Sequence, residues 1–335
     1  MYHVLEVTCP NDQNQHPICE GQDILPISIH HLHMGSEHLE RYRDIIPDFD
    51  AFLDFMSRPL PVTIRINTLK TSVPELLSRL DRLGIGYERM RWYPLGLRLD
   101  AEKPGRLMEF HMGLIHVQEE LSMLPPVVLD PQPGERILDL CAAPGGKAAQ
   151  ISMQMSNKGL VVANDSSSAR IVPLRANLER LGAVNVVVTS YDGRRFPQYN
   201  FDRALVDAPC SSEGTARRYP EVIARCSAKR SADLQNLQVS LLRRAIQLTK
   251  PGGVVVYSTC TFAPEENEGV VSRVLDLADL ESFTIQGLRS SQGIASWNSI
   301  DYGEELVKCR RYYPHENDTG GFFVAKLRRR LSAGE

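Results

Sequence analysis

Apolar positions change their period several times along this chain, and each change marks an element. From Ser36 to Met56 they recur every third or fourth residue, at Leu39, Tyr42, Ile45 or Ile46, Phe49, Leu53 and Met56. That spacing predicts helix, divided by Pro47 into two short pieces. In PVTIRINTLK the period drops to two: Val62, Ile64 and Ile66 alternate with Thr63, Arg65 and Asn67, as in a half-buried strand. Pro74 to Leu83 is helical again and stops at Gly84, and short strands follow around Tyr87–Met90 and Gly96–Leu99. This mixture predicts a small α+β subdomain over residues 36–112. Arg65, Asn67 and Lys70 form its polar edge, facing either a polyanion or water.

Past Gly113 a helix start, Pro125-Pro126 and a Pro-Gly turn lead into a second domain, 113–330, with 331–335 as a tail. It opens on RILDLCAAPGGK: an apolar strand (Arg136–Leu140), a tight turn (Ala142–Gly146) and a helix from about Lys147. Gly159–Asp165 is a continuous apolar run ending in an acid, as in a parallel strand covered on both faces. Helix is predicted over Ser168–Leu181, closed by Gly182, and over Asp233–Thr249; strands are predicted at Asn185–Ser190, Phe201–Asp207 and Gly253–Thr259. Regular strand-helix alternation implies an α/β fold with a Rossmann-like, mostly parallel sheet.

Composition fits a globular chain: 42% hydrophobic, 24% charged, net charge -3. No apolar run is long enough for a bilayer and the N-terminus lacks the pattern of a secretion signal, so a cytoplasmic protein without membrane contact is expected, as a monomer. The seven cysteines have no paired C-x-x-C spacing, which argues against a disulfide framework or a zinc ribbon. His3, His16, His30, His31 and His33 cluster near Cys9 and Cys19 in residues 1–35, but the intervals match no zinc site; a loose extension without metal is expected. Charge is uneven, with ten Lys or Arg against five Asp or Glu between Arg194 and Arg244, and Lys326 and Arg328–Arg330 in the tail. Either a basic face or a solvated helix surface accounts for this.

Ligands of open α/β sheets bind at the carboxyl ends of the strands. There the sequence places Asp139 and Cys141, Asp165, Asp192, Asp207 and Cys210, and Thr259-Cys260. The backbone of the Ala142–Gly146 turn can approach a ligand closely, and the next helix offers free N–H groups. An acid at Asp165 is placed to accept from ribose hydroxyls, and one at Asp192 from an adenine amino group. Each Asp alone also fits a helix cap; jointly they describe a nucleoside site. Two thiols beside it supply nucleophiles for a carbon-centred reaction, and position alone does not separate their roles.

CAAPGGK, DAPCS-x-x-G, KPGG-x-x-x-YSTCT with Glu265-Glu266-Asn267, and GGFF at Gly320–Phe323 resemble the motif series of the Nop/Sun family of RNA (cytosine-5)-methyltransferases, over Pro61–Leu327. The resemblance implies a class I methyltransferase domain, S-adenosylmethionine as cofactor, cytosine in rRNA or tRNA as acceptor, and an RNA-binding role for the α+β subdomain. It further implies Cys260 as the nucleophile that adds to C6 and Cys210 as the group that assists release. Asp207 and Lys147 would stabilise the adduct. The cofactor would lie on Cys141, Ala142, Ala143, Pro144, Gly145, Gly146 and Lys147, with Asp165 on its ribose, Asp192 on its adenine, and Arg170 and Asp207 nearby. Two positions depart from the family pattern: Ala148, where Thr is frequent, and Ser212, where Gly is common. An inactive RNA-binding module would not need both cysteines, nitrogen targets in protein would not need a thiolate, and DNA cytosine is disfavoured by the resemblance alone.

Overall fold

The computed structural model describes residues 37–331, so the His- and Cys-bearing extension over 1–35 lies outside the described residues. After a short helical turn the chain forms helix α1 (Phe49–Ser57), its start capped by the Asp48 carboxylate on Ala51 N–H. Pro47 precedes the helix, as the sequence predicts. Next come β1 (Thr63–Ile66), α2 (Val73–Arg82), β2 (Tyr87–Arg89), β3 (Gly96–Leu99) and β4 (Ile115–Val117), the strands pairing antiparallel in the order β2-β3-β1-β4. Ile64, Ile66, Leu76, Leu80, Leu97 and Ile115 fill a core of their own. Leu39, Tyr42, Phe49, Phe52 and Met56 instead belong to the core of the larger domain, against Phe262, Trp297 and Tyr313. Each such side chain contributes roughly 1.5–3 kcal/mol of burial.

The larger sheet begins with β5 (Arg136–Asp139), α3 (Gly146–Gln154), β6 (Leu160–Asn164), α4 (Ser168–Leu181), β7 (Val186–Thr189), β8 (Phe201–Asp207), α5 (Ala228–Leu248) and β9 (Thr249–Thr259). β7-β6-β5-β8-β9 run parallel, so connections cross from one side of β5 to the other. Alternation within the strands fills both faces. Leu138, Ala204, Val206, Val255 and Tyr257 enter the core under α5, whereas Ile137, Leu205, Val254 and Val256 enter the opposite core with Leu129 and Ile151. α5 starts at Ala228, earlier than its apolar period suggests, because the Ser227 hydroxyl caps it on Arg230 N–H.

The sequence reading left the C-terminal segment unassigned. It adds β10 (Ala278–Glu281), β11 (Ser291–Gln292), a small hairpin of β12 (Ser296–Trp297) and β13 (Ile300–Asp301), β14 (Arg310–Tyr312) and β15 (Phe322–Arg329). β15 lies antiparallel between β9 and β14 and also pairs with β10. Much of the basic tail is neutralised within this region, since Lys326 and Arg328 pair with Glu281 and Arg330 pairs with Asp279.

Arg65 and Asn67 correct the sequence reading: neither a polyanion nor water meets them. Both are buried. The Arg65 guanidinium donates to the Gly146 carbonyl at 3.1 Å and to Gln118 at 3.2 Å, and the Asn67 amide donates to the carbonyls of Gly113 and Leu181 at 2.8 and 2.7 Å. Lys70 Nζ donates to the Arg180 carbonyl at 2.7 Å. A period of two does place Arg65 and Asn67 opposite Ile64 and Ile66, but that second face is covered by the larger domain, and Lys70 lies in the turn beyond β1.

Candidate active site

The order β6-β5-β8 makes the carboxyl ends of β5 and β8 the switch point of the sheet, where a cleft opens between diverging connections. A cleft of about 290 Å³ sits there. One wall is the turn after β5: Cys141, Ala142, Ala143, Pro144, Gly146 and Lys147 line it, along with Asp139. Gly145 has φ 104, and a Cβ on Gly146 would lie 2.9 Å from His116 Nε2, so the turn accepts no side chain at either position. Arg170 clamps the turn from outside, donating to the Ala143 carbonyl at 2.7 Å and pairing with Asp165 at 3.3 Å. The far wall carries Asp207 and Cys260, at the ends of β8 and β9. Lys147 Nζ and Ser258 Oγ each donate to Asp207 at 2.7 Å, one per carboxylate oxygen, which fixes that carboxylate across the cleft floor.

Behind Cys260 stands Cys210, with the two sulfurs 3.4 Å apart. Two loops must be held together to produce that spacing. Ser211 Oγ meets Thr261 Oγ1 at 2.6 Å, Gly214 N–H donates to the Cys260 carbonyl at 2.8 Å, and Ser211 N–H donates to Glu266 at 2.9 Å. Glu213, fully buried, accepts from Tyr42 OH at 2.9 Å, Thr261 Oγ1 at 2.9 Å and Phe262 N–H at 3.2 Å, and bonds His38 at 2.6 Å. Asn267 accepts from Thr259 Oγ1 and donates to the Thr261 carbonyl. Glu268 receives the Arg311 guanidinium, both groups buried. Gly214 and Gly321 pass so close that a Cβ on Gly214 would lie 2.2 Å from the Gly321 carbonyl oxygen, and Gly321 N–H donates to the Gly214 carbonyl at 2.9 Å. The separate motifs are therefore one bonded unit.

A family model described as 16S rRNA methyltransferase RsmB/F matches residues 126–328, and one described as the N-terminal domain of 16S rRNA methyltransferase RsmF matches 34–120. The chain belongs to the RsmB/F methyltransferase family, a Nop/Sun group. It is 39% identical over 297 residues to the tRNA (cytosine(49)-C(5))-methyltransferase of Pyrococcus abyssi, covering 87% of this chain and 95% of that one. The 25S rRNA (cytosine-C(5))-methyltransferase nop2 of Schizosaccharomyces pombe is 39% identical over 289 residues; these cover 83% of this chain but only 48% of the relative. In three dimensions the chain is similar to a methyltransferase homolog protein from Pyrococcus horikoshii, with TM-score 0.78, 34% identity and coverage of 91% and 100% of the two chains. NSun6 from the same organism superposes with TM-score 0.77 at 26% identity, covering 88% of this chain and 98% of that one.

In this RsmB/F-family chain, the predicted site residues fall into two groups. Cys141–Pro144, Gly146, Lys147, Asp207 and Cys260 share the cleft, with Cys210 directly behind. Asp165 and Asp192 follow the ends of β6 and β7 and Arg170 stands in the first turn of α4, all beyond the cleft lining. Asp165 is buried and accepts from Ser167 N–H at 3.0 Å, whereas Asp192 is engaged by Arg194 at 2.6 Å, which lowers its pKa. Asn164 links these strand ends, donating to the carbonyls of Leu140 and Tyr191.

The electrostatics separate the two thiols, which sequence position left open. A hydrogen bond from Cys210 lowers the Cys260 thiol below its usual range against the opposing effect of burial, with further help from Ser212 and the Lys147 ammonium. Sharing that hydrogen bond and being buried push Cys210 well up. The two shifts thus run apart, down for Cys260, which lines the cleft, and up for Cys210 behind it, with Asp207 opposing the first. Burial works against the Lys147 ammonium, but Asp207 and Asp139 outweigh it and raise its pKa. Burial also raises Cys141, consistent with a neutral lining group.

Asp139 is the residue to which sequence reasoning assigned no role. It is fully buried, neither carboxylate oxygen has a hydrogen-bond partner, and it lines the cleft. Burial, then the nearby Asp207, raises its pKa to about 7. An aspartate at a strand end also fits a helix cap, and no sequence signal tells a carboxylate that finds donors from one that does not. Glu213 and Glu268 were equally hidden: buried acids are read from a sequence as surface residues.

Proposed function

We propose that this chain is an S-adenosylmethionine-dependent RNA cytosine-C5 methyltransferase acting on rRNA or tRNA. One observation carries the reading: two thiols 3.4 Å apart at the edge of a glycine-lined cleft whose floor holds Asp207 and Lys147. Enzymes that methylate a lone pair have no use for a thiolate, whereas C5 of cytosine is unreactive until a nucleophile adds to C6.

The cleft fits the cofactor at two points. Cys141 to Pro144, Gly146 and Lys147 line it as one continuous turn, and the Asp139 carboxylate, with neither oxygen partnered, is suited to a cationic group. Cys141 to Lys147 and Asp139 would hold the amino-acid end, Asp165 the ribose and Asp192 the adenine, with Arg170 supporting the turn. The bound cofactor supplies an electrophilic methyl group. Cys260 thiolate adds to C6 of the target cytosine, which makes C5 carbanion-like. Asp207, held by Lys147, hydrogen-bonds the cytosine edge and favours charge neutralisation at N3. Cys210 removes the C5 proton as the Cys260–C6 bond breaks. The target base must be unstacked to admit a thiolate at C6, and the 63–118 region is the surface that presents the RNA.

Bisulfite mapping of RNA treated with purified protein and cofactor should give a protected cytosine, and Cys210→Ala should accumulate a protein–RNA band on denaturing gels. No new protected cytosine in either rRNA or tRNA would overturn the reading.

A further inference from the structure

The loop that carries the second thiol contains a residue in an unusual backbone conformation. Ser212 has φ 66 and ψ 21, the left-handed region that glycine enters freely and other residues enter at a steric cost. This is the position where the Nop/Sun pattern commonly has Gly. Strained non-glycine positions concentrate at functional sites, so the side chain is the thing to explain. Its hydroxyl has two acceptors within reach, the Cys210 carbonyl at 3.3 Å and the Cys210 sulfur at 3.8 Å.

We propose that Ser212 is a positioning residue for product release, its hydroxyl moving from the Cys210 carbonyl to the Cys210 sulfur when that sulfur becomes anionic. This rests on the reading of Cys260 as nucleophile and Cys210 as release group. On that reading the resting Cys210 thiol donates to the Cys260 sulfur, 3.4 Å away. Once Cys260 is bonded to C6 that acceptor is gone, and Cys210 gives its proton to water. The Ser212 O–H then supplies the hydrogen bond that stabilises the new thiolate. Release follows with its electrons balanced: the Cys210 thiolate takes the proton from C5, the C5–H pair becomes the C5=C6 double bond, and the C6–S bond breaks with its pair on Cys260. The starting thiol and thiolate are restored. Three other charged groups face the pair: Asp207 and Glu266 oppose a second negative charge, and Lys147 favours it from the Cys260 side.

The test is a single-turnover reaction followed on denaturing gels across pH 6–9, using wild type, Ser212→Ala, Ser212→Gly and Cys210→Ala. Both Ser212 variants should resolve the adduct about ten-fold more slowly, well beyond the smaller slowing of adduct formation that follows from losing the Ser212 contribution at Cys260, with the pH midpoint of release moved upward. Ser212→Gly should also raise Tm by about 2 °C, because it relieves the backbone, whereas Ser212→Ala should not. Wild-type release by Ser212→Ala overturns the proposal, as does slow release confined to Ser212→Gly, which would be a loop effect. If Cys210→Ala itself releases normally, the role of Cys210 fails, and the role of Ser212 fails with it.

Discussion

The two walls of the cleft treat buried carboxylates in opposite ways. On the thiol side, Glu213 and Glu268 are bonded through both oxygens, by hydroxyls, His38 and a backbone N–H in the first and a buried guanidinium in the second, and Glu266 is bonded through one, by Ser211 N–H and Gln238. On the cradle side, Asp139 is equally buried and has no partner. Saturated acids fix geometry, which two sulfurs 3.4 Å apart require. An unsatisfied acid is destabilising until a ligand completes it. The thiol wall is thus the more fully bonded of the two, and Asp139 is the acid that folding leaves with neither oxygen partnered.

Four substitutions test this contrast. The largest effect belongs to Cys260→Ala, which should abolish methyl transfer while leaving S-adenosylhomocysteine affinity by calorimetry within about two-fold of wild type; loss of binding would mean that the walls are not separable. Glu268→Gln comes next. It strands the buried Arg311 guanidinium and should lower stability by about 3–5 kcal/mol in urea titration, and a surface-like change below about 0.5 kcal/mol would contradict the scaffolding role. Asp165→Ala should weaken S-adenosylhomocysteine binding about ten-fold, or about 1.4 kcal/mol, with Tm little changed; unchanged affinity would remove Asp165 from the site.

The smallest effect has the most informative sign. Asp139→Asn should weaken cofactor binding yet raise the Tm of the unliganded protein by about 2 °C at pH 8. With its pKa raised to about 7, Asp139 is bound to a proton more tightly in the folded chain than in the unfolded one. Its contribution is therefore most favourable below about pH 4 and is lost as pH rises through about 7. The Tm gain from Asn should grow across that window, with Asp207, Lys147 and Asp165 as the charged neighbours common to both proteins. A gain independent of pH would mean that the carboxylate is not the cause.

Legibility in the sequence followed the same division. Strands with both faces apolar and helices with clear ends were readable: Phe201–Asp207 and Ser168–Leu181 stand at their predicted limits, the latter closed by Gly182 in the left-handed conformation. The motif residues of the cleft were readable because reactive side chains sit at strand ends. β10, β11 and β14 were not, since strands of two to four residues contain too few alternations to set a period. The burial of Arg65 and Asn67 was also invisible, because alternation reports which residues share a face and not what covers it. Asp139 and Ser212 escaped for a related reason: whether a carboxylate finds donors, or a serine adopts a glycine conformation, is decided by tertiary neighbours.

The joint between subdomain and sheet has a consequence for how this architecture can change. Arg65, Asn67 and Lys70 grip it largely through carbonyl oxygens, at Gly146, Gly113, Leu181 and Arg180. Every residue offers a carbonyl, so these bonds ask little of the receiving side chains beyond the close approach that needs glycine at Gly146 and Gly113. Three donors on one partner suffice to keep the register while the other partner drifts in sequence. The joint therefore constrains three side chains of the subdomain more tightly than it constrains the side chains of the sheet they hold.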